Sequence, residues 1–110
     1  MYGPSGDYKG RIESNGLIYD STGSYLGKFD SNGSIYDSSN TYKGKIENGC
    51  YFYDRTNTYK GKIENGAIYD NSNIYFGKIE NGAIYDNRST YLGKCPGVKK
   101  EWVAYFYFFK

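Results

Sequence analysis

Five aspartates, Asp20, Asp37, Asp54, Asp70 and Asp86, each follow a tyrosine and each lead into a short run of Ser, Thr, Asn, Arg or Gly. Carboxylate and amide oxygens at that spacing are the donors a calcium array would use, because Ca2+ is held by oxygens alone. Each copy, however, brings a single carboxylate. An Asp at the head of such a run also has an ordinary local use, accepting hydrogen bonds from the backbone of the turn it starts. The turn reading is the stronger one, so no metal and no cofactor is expected. A second acidic series, Glu13, Asp30, Glu47, Glu64 and Glu80, is one turn-flanking position counted five times, and the chain has no histidine. Catalysis calls for a place where one copy carries groups the others lack and where acid, base and nucleophile converge. The pattern offers none, and the protein is read as non-catalytic, with no catalytic residue.

Cys50 and Cys95 occupy slots that other copies fill with Ala, Ser or Leu and with Ile or Phe respectively. They are read as buried, reduced thiols. The net charge of +2 comes from Lys and Arg evenly answered by Asp and Glu. A nucleic-acid module would gather its basic residues on one face, so no nucleic-acid partner is expected.

The elements that carry these residues follow from a short tandem repeat. Tyr8, Tyr25, Tyr42, Tyr59, Tyr75 and Tyr91 each open the phrase Tyr-x-Gly-(Lys/Arg), at intervals of 17, 17, 17, 16 and 16 residues. Within a copy, Tyr59-Lys-Gly-Lys-Ile-Glu64 runs into Asn65-Gly66 and then Ala67-Ile-Tyr-Asp70, which is strand, turn and strand. Asn-Gly between β-prone runs signals a type I′ hairpin, because both central residues need positive φ. Asn48-Gly49 and Asn81-Gly82 repeat the pair. Ser14-Asn15-Gly16 and Ser31-Asn32-Gly33 are one residue longer and suit a type I turn closed by a glycine bulge. The register then pairs Ile12 with Ile18, Phe29 with Ile35, Ile63 with Ile68 and Ile79 with Ile84, an apolar stripe on one face.

The links between hairpins raise a conflict. A three-residue loop puts Tyr69 and Tyr75 on one face, whereas strict alternation through Ile68, Ile79 and Ile84 puts them on opposite faces. Either the loop spans four residues or a bulge sits near the repeated glycine.

Residues 1–7 match the second strand of a hairpin and Tyr91–Cys95 match a first strand, so the two ends complete one another. The fold class expected is mainly β, a closed antiparallel barrel of about 12 strands with pseudo-sixfold symmetry and no free edge. The whole chain, 1–110, is then one domain, with hairpin repeats over 1–95 and a hydrophobic plug over 96–110. The run Trp102–Phe109 is apolar on every side, which marks a segment buried on every side. It is read as a helix filling the barrel. The ring of Gly10, Gly27, Gly44, Gly61, Gly77 and Gly93 would let strands bend and the plug approach.

Together, the Asn-Gly hairpins, the glycine ring and the ending Gly97-Val-Lys-Lys-Glu-Trp-Val-Ala resemble the four-fold bacterial beta-flower proteins over nearly the whole chain. This chain has more copies than four. Such flowers are similar in architecture to the tubby C-terminal and phospholipid scramblase barrels, which wrap a hydrophobic helix and are associated with lipids. The resemblance implies a peripheral association with membrane lipids. No basic and apolar leader opens the chain and the run Trp102–Phe109 falls short of the roughly 17 residues a spanning helix needs, so a cytoplasmic protein with no signal peptide and no transmembrane helix is expected. Trp102, Tyr105, Phe106, Lys99 and Lys100 are the residues expected to meet lipid. The alternative is a structural or ligand-binding repeat scaffold, similar to MORN repeats or to carbohydrate-binding repeats.

Overall fold

The computed structural model describes every residue, Met1–Lys110. Five hairpins form in chain order. They pair β1 (Gly10–Ile12) with β2 (Leu17–Asp20), β3 (Tyr25–Phe29) with β4 (Ser34–Asp37), and β5 (Tyr42–Glu47) with β6 (Tyr51–Asp54). The series continues with β7 (Tyr59–Glu64) and β8 (Ala67–Asp70), then β9 (Tyr75–Glu80) and β10 (Ala83–Asp86), and ends on the lone strand β11 (Tyr91–Lys94). Every neighbour is antiparallel and the sheet order is the chain order.

Turn chemistry explains where each hairpin reverses. Asn65 and Gly66 have φ of 52° and 84°, and Asn81 and Gly82 have 52° and 81°, the pair of positive angles a type I′ turn demands. In the first two hairpins only Gly16 and Gly33 are positive, as a glycine bulge requires. The third turn corrects the expectation for Cys50. Its carbonyl bonds the Ile63 N–H as those of Gly16, Gly33 and Gly66 bond Phe29, Ile46 and Ile79, so it takes the closing place of the turn. It is half-buried, while Cys95 is buried, and both are free thiols.

At the opposite rim each Asp ties its own loop. Asp54 Oδ1 accepts from the Thr56 and Thr58 N–H groups at 2.9 and 3.0 Å, and Asp20, Asp37, Asp70 and Asp86 repeat the arrangement. The conflict over tyrosine faces resolves as a bulge. Ile68 pairs with Gly77 but Tyr69 pairs with Tyr75, so Phe76 is the extra residue. The same shift recurs wherever one hairpin meets the next. The expected apolar pairs all form: Ile12 with Ile18, Phe29 with Ile35, Ile63 with Ile68, Ile79 with Ile84.

The closed, pseudo-sixfold barrel of about 12 strands does not form. Eleven strands make one sheet whose end strands are β1 and β11. The chain's two ends do approach, through residues 1 and 2: Tyr2 exchanges backbone hydrogen bonds of 2.8 and 2.9 Å with Lys94 and makes an isolated bridge to Tyr8, while the Met1 carbonyl accepts from the Lys9 N–H and its amino group donates to the Gly10 carbonyl. Residues 3–7 form the same linking turn as the other copies, the Gly3 N–H bonding the Asp7 carbonyl as the Asp20 N–H bonds that of Ser24, which leaves only Met1 and Tyr2 to stand between β11 and β1, too few for a full strand.

The C-terminal segment is helical, as expected, and runs from the Asn-Gly rim, where Lys100 lies beside the Asn65–Gly66 turn, to the Asp-turn rim, where Lys110 lies with Asp37 and Asp54. Helix α1 (Lys100–Ala104) widens into one π-helical turn over Tyr105–Phe109. It packs on the apolar face of the sheet: Val103 and Ala104 are fully buried, Trp102 stacks on Phe29 with centroids 5.1 Å apart, and Phe109 stacks on Phe52 at 4.4 Å.

Candidate functional site

The bulge that reconciles the tyrosines also creates a ring of variable side chains. The extra residue between Tyr and Gly is Lys9, Leu26, Lys43, Lys60, Phe76 and Leu92 in successive copies. Leu26 and Leu92 pack on the core, and the Phe76 ring lies 5.2 Å from Phe108 and 6.0 Å from Phe109. Of these, the C-terminal segment meets Phe76. Beside Lys43, where no apolar side chain fills the slot, a cleft of about 590 Å3 remains between the segment and strands β2–β6.

Its floor is Ile18, Leu26 and Ile35, and its wall is Tyr105, Phe106 and Phe109. The mouth is charged, with Asp37 and Asp54 facing Lys43, Arg55 and Lys110. The hydrogen bond from the Thr41 N–H, then that from Ser39 and the charge of Lys43, hold Asp37 below the usual carboxylate range. For Asp54 the Thr56 hydroxyl is the largest cause of the same shift. Both carboxylates thus stay ionised and committed to their turns. Lys43 Nζ is 3.9 Å from Asp37 Oδ2. Lys110 Nζ sits 4.5 Å from the centroid of Phe106, and its burial lowers its pKa. An apolar trough with a few polar groups converging at one end is the usual form of a small-molecule site, and its volume lies within the common range of about 300–1,000 Å3.

Only part of the residue set expected to meet lipid gathers here. Tyr105 and Phe106 line the cleft, whereas Trp102 stacks on Phe29 near the Asn-Gly rim with Lys99 Nζ 4.9 Å above it. Lys100 lies beside the Asn65–Gly66 turn. Leu26, Arg55, Phe109 and Lys110 were not foreseen as site residues, although the irregular Lys/Leu/Phe slot before each glycine was a readable departure from the repeat. Each member of the glycine ring has the carbonyl oxygen of a neighbouring strand's tyrosine where a Cβ would be, namely Tyr19, Tyr36, Tyr53, Tyr69, Tyr85 and Tyr2. At Gly61 and Gly77 the rings of Phe109 and Phe108 also press in, at 2.9 and 2.7 Å from that point.

The outer face is regular by comparison. Tyr19 with Tyr25, Tyr36 with Tyr42, Tyr69 with Tyr75 and Tyr85 with Tyr91 pair at centroid distances of 5.8, 6.0, 6.1 and 5.8 Å. Arg11, Lys28, Lys45, Lys62, Lys78 and Lys94 lie 4.2–5.4 Å over tyrosine rings of the same sheet. Those cations cover their own wall.

A family model for the 5-fold beta-flower protein matches residues 1–110. The chain belongs to that family. Five complete hairpins accord with five-fold naming, which corrects the four-fold assignment. No curated protein and no solved structure matches the chain significantly. The likeness to tubby and scramblase barrels gains no support, since the sheet of this beta-flower protein is not a closed barrel.

Proposed function

We propose that this β-hairpin repeat protein is a non-catalytic lipid-interacting module whose inner cleft takes one chain of a phosphate-headed amphiphile. The observation that carries the reading is the cleft itself, apolar at the floor and wall and lined at the mouth by three cations against two turn-bound carboxylates. An alkyl chain lying over Ile18, Leu26 and Ile35 would leave water for an apolar trough, at about 0.8 kcal/mol per CH2. The head phosphate would face Lys43, Arg55 and Lys110, for which charge-assisted hydrogen bonds are available.

The test is titration with lysophosphatidylcholine below its micelle concentration, followed by the fluorescence of a displaced dansyl fatty acid. Saturable one-to-one binding is expected, with Leu26→Trp, which fills the trough, and Lys43→Glu, which reverses the mouth, each weakening it by about tenfold or more. No saturable binding, or affinities unchanged in both variants, would overturn the proposal.

A further inference from the structure

Two tyrosines face each other at every link between hairpins. Tyr2–Tyr8 and Tyr53–Tyr59, each with centroids 5.7 Å apart, complete the outer series at six pairs and bring it to twelve of the 15 tyrosines. Both places hold tyrosine in every copy, while the bulge residue beside them changes from Lys to Leu to Phe. Cross-strand aromatic pairing stabilises a sheet, but phenylalanine would serve that end as well. From Tyr19 to Tyr91 no paired hydroxyl bonds another residue, and the tyrosine hydroxyl that does so is that of Tyr107, to the Tyr2 carbonyl. The phenols are thus repeated without a structural use inside the chain, and they have no part in the cleft.

Their geometry suits a reaction between neighbours. The register shift before each repeated glycine puts both rings of a pair on the outer face, with centroids 5.7–6.1 Å apart. Arg11, Lys28, Lys45, Lys62, Lys78 and Lys94 lie over one ring of each pair and hold it in place. The other ring, Tyr8, Tyr25, Tyr42, Tyr75 or Tyr91, is 36–44 % exposed, open to an oxidant in solution and free to turn. In the third link Tyr59 is more covered, and Tyr51 stands 6.4 Å from it as an exposed third phenol. Exposed side chains change rotamer within nanoseconds, so a ring held this close meets its neighbour long before it meets another molecule.

We infer that the six outer tyrosine pairs are sites of oxidative cross-linking, each converted to dityrosine by a peroxidase-type one-electron oxidant. One electron leaves the exposed phenol and its proton passes to water. A second oxidation does the same at the partner, and the two phenoxyl radicals join by a bond between the ring carbons ortho to oxygen. Each joined carbon then passes its hydrogen to its own oxygen, which restores two phenols. Hydrogen peroxide, reduced to water, takes up the two electrons and two protons, and the chain is lighter by two hydrogen atoms per link. Each link is a covalent staple across an Asp turn, holding one hairpin to the next.

The test treats the full chain with a haem peroxidase and hydrogen peroxide, followed by dityrosine fluorescence, denaturing electrophoresis and peptide mapping. The product is expected to stay a monomer, to form at a rate per chain that does not change on dilution, and to carry links within the six pairs at least about tenfold over any other pairing. Tyr105 and Tyr107, whose ring neighbours are Phe29 and Phe106, should stay unlinked. Tyr42→Phe keeps the ring and should remove the Tyr36–Tyr42 link alone, leaving the other five and the lysolipid affinity of the cleft unchanged. In urea the preference for the pairs should fall severalfold. Absence of dityrosine, linking between molecules that fades on dilution, or the same pair preference in urea as in the folded protein would each overturn the inference without touching the reading of the cleft.

Discussion

At Asp54, one carboxylate does the work of a turn: Oδ1 collects the N–H groups of Thr56 and Thr58 and the Thr56 hydroxyl at 2.6 Å. These bonds favour the ionised form, which is why Asp20, Asp37, Asp54 and Asp86 all lie below the ordinary carboxylate range. The sign of the consequence is fixed. A depressed folded-state pKa contributes stability above the unfolded value of about 3.9, and that contribution is lost as pH falls through the folded value. The thermal midpoint should therefore hold steady down to about pH 4 and then drop. Asp54→Asn, which keeps an acceptor oxygen but does not titrate, should make the acid drop shallower in calorimetric scans. The two thiols make a second residue-level contrast. Burial raises the Cys95 pKa and covers its sulfur, whereas Cys50 is half-exposed in its turn. Iodoacetamide mass labelling of the native protein should modify Cys50 first and reach Cys95 only on unfolding.

At the scale of the strand, the bulge is the device that gives each hairpin two functional faces. Gly27 has φ of 147°, and the carbonyl oxygen of Tyr36 stands where a side chain would begin. Gly27→Ala should cost on the order of 3 kcal/mol in urea unfolding, combining backbone strain with a displaced strand. Gly23 is the control, since it has φ of 85° with nothing nearby and other copies carry Asn40, Asn57 and Asn73 at comparable angles. Gly23→Asn should shift stability by about 0.5 kcal/mol or less. The helical segment depends on stacking rather than on helix propensity, being only five residues of α-helix and five of π. Trp102→Ala, which removes a half-buried ring stacked within 4° of the Phe29 plane, should cost about 2–3 kcal/mol, less than the roughly 3–5 of a fully enclosed site.

Taken whole, the molecule measures 35 × 32 × 18 Å with a radius of gyration of 13.1 Å. A single sheet with one apolar face cannot stand alone in water, and here the cover is only the last ten residues. Val103, Ala104 and the rings of Trp102, Phe108 and Phe109 cover the stripe of which Phe29, Phe52 and Ile68 are part, with Ile18 and Ile35 left as the floor of the cleft. Ending the chain before Trp102 should thus abolish cooperative unfolding and give an aggregating species, since that burial is comparable to the roughly 5–15 kcal/mol net stability of a domain. Solution scattering of the intact protein should return a radius near 13 Å. A markedly larger value would mean an extended ribbon of hairpins rather than a covered sheet.

Much of this was legible from residues a few positions apart. Asn-Gly and Asp-headed turns, the isoleucine pairs and the need for a bulge or a longer loop follow from turn chemistry and from the two-residue period of a strand, both local rules. Cys50 was misplaced because copy three carries one more turn residue, and only the hydrogen bond from Ile63 reveals which residue closes the turn. Whether the sheet closed, how far the helix ran and where the cleft opened depend on how eleven strands curve and which side chains the last ten residues lean on. Those are sums of many small packing terms over distant residues. The amino-acid order alone determined the hairpins and their apolar face. Tertiary packing alone decided that Met1 and Tyr2 would be the whole bridge between the ends, and that Lys43 would mark the gap.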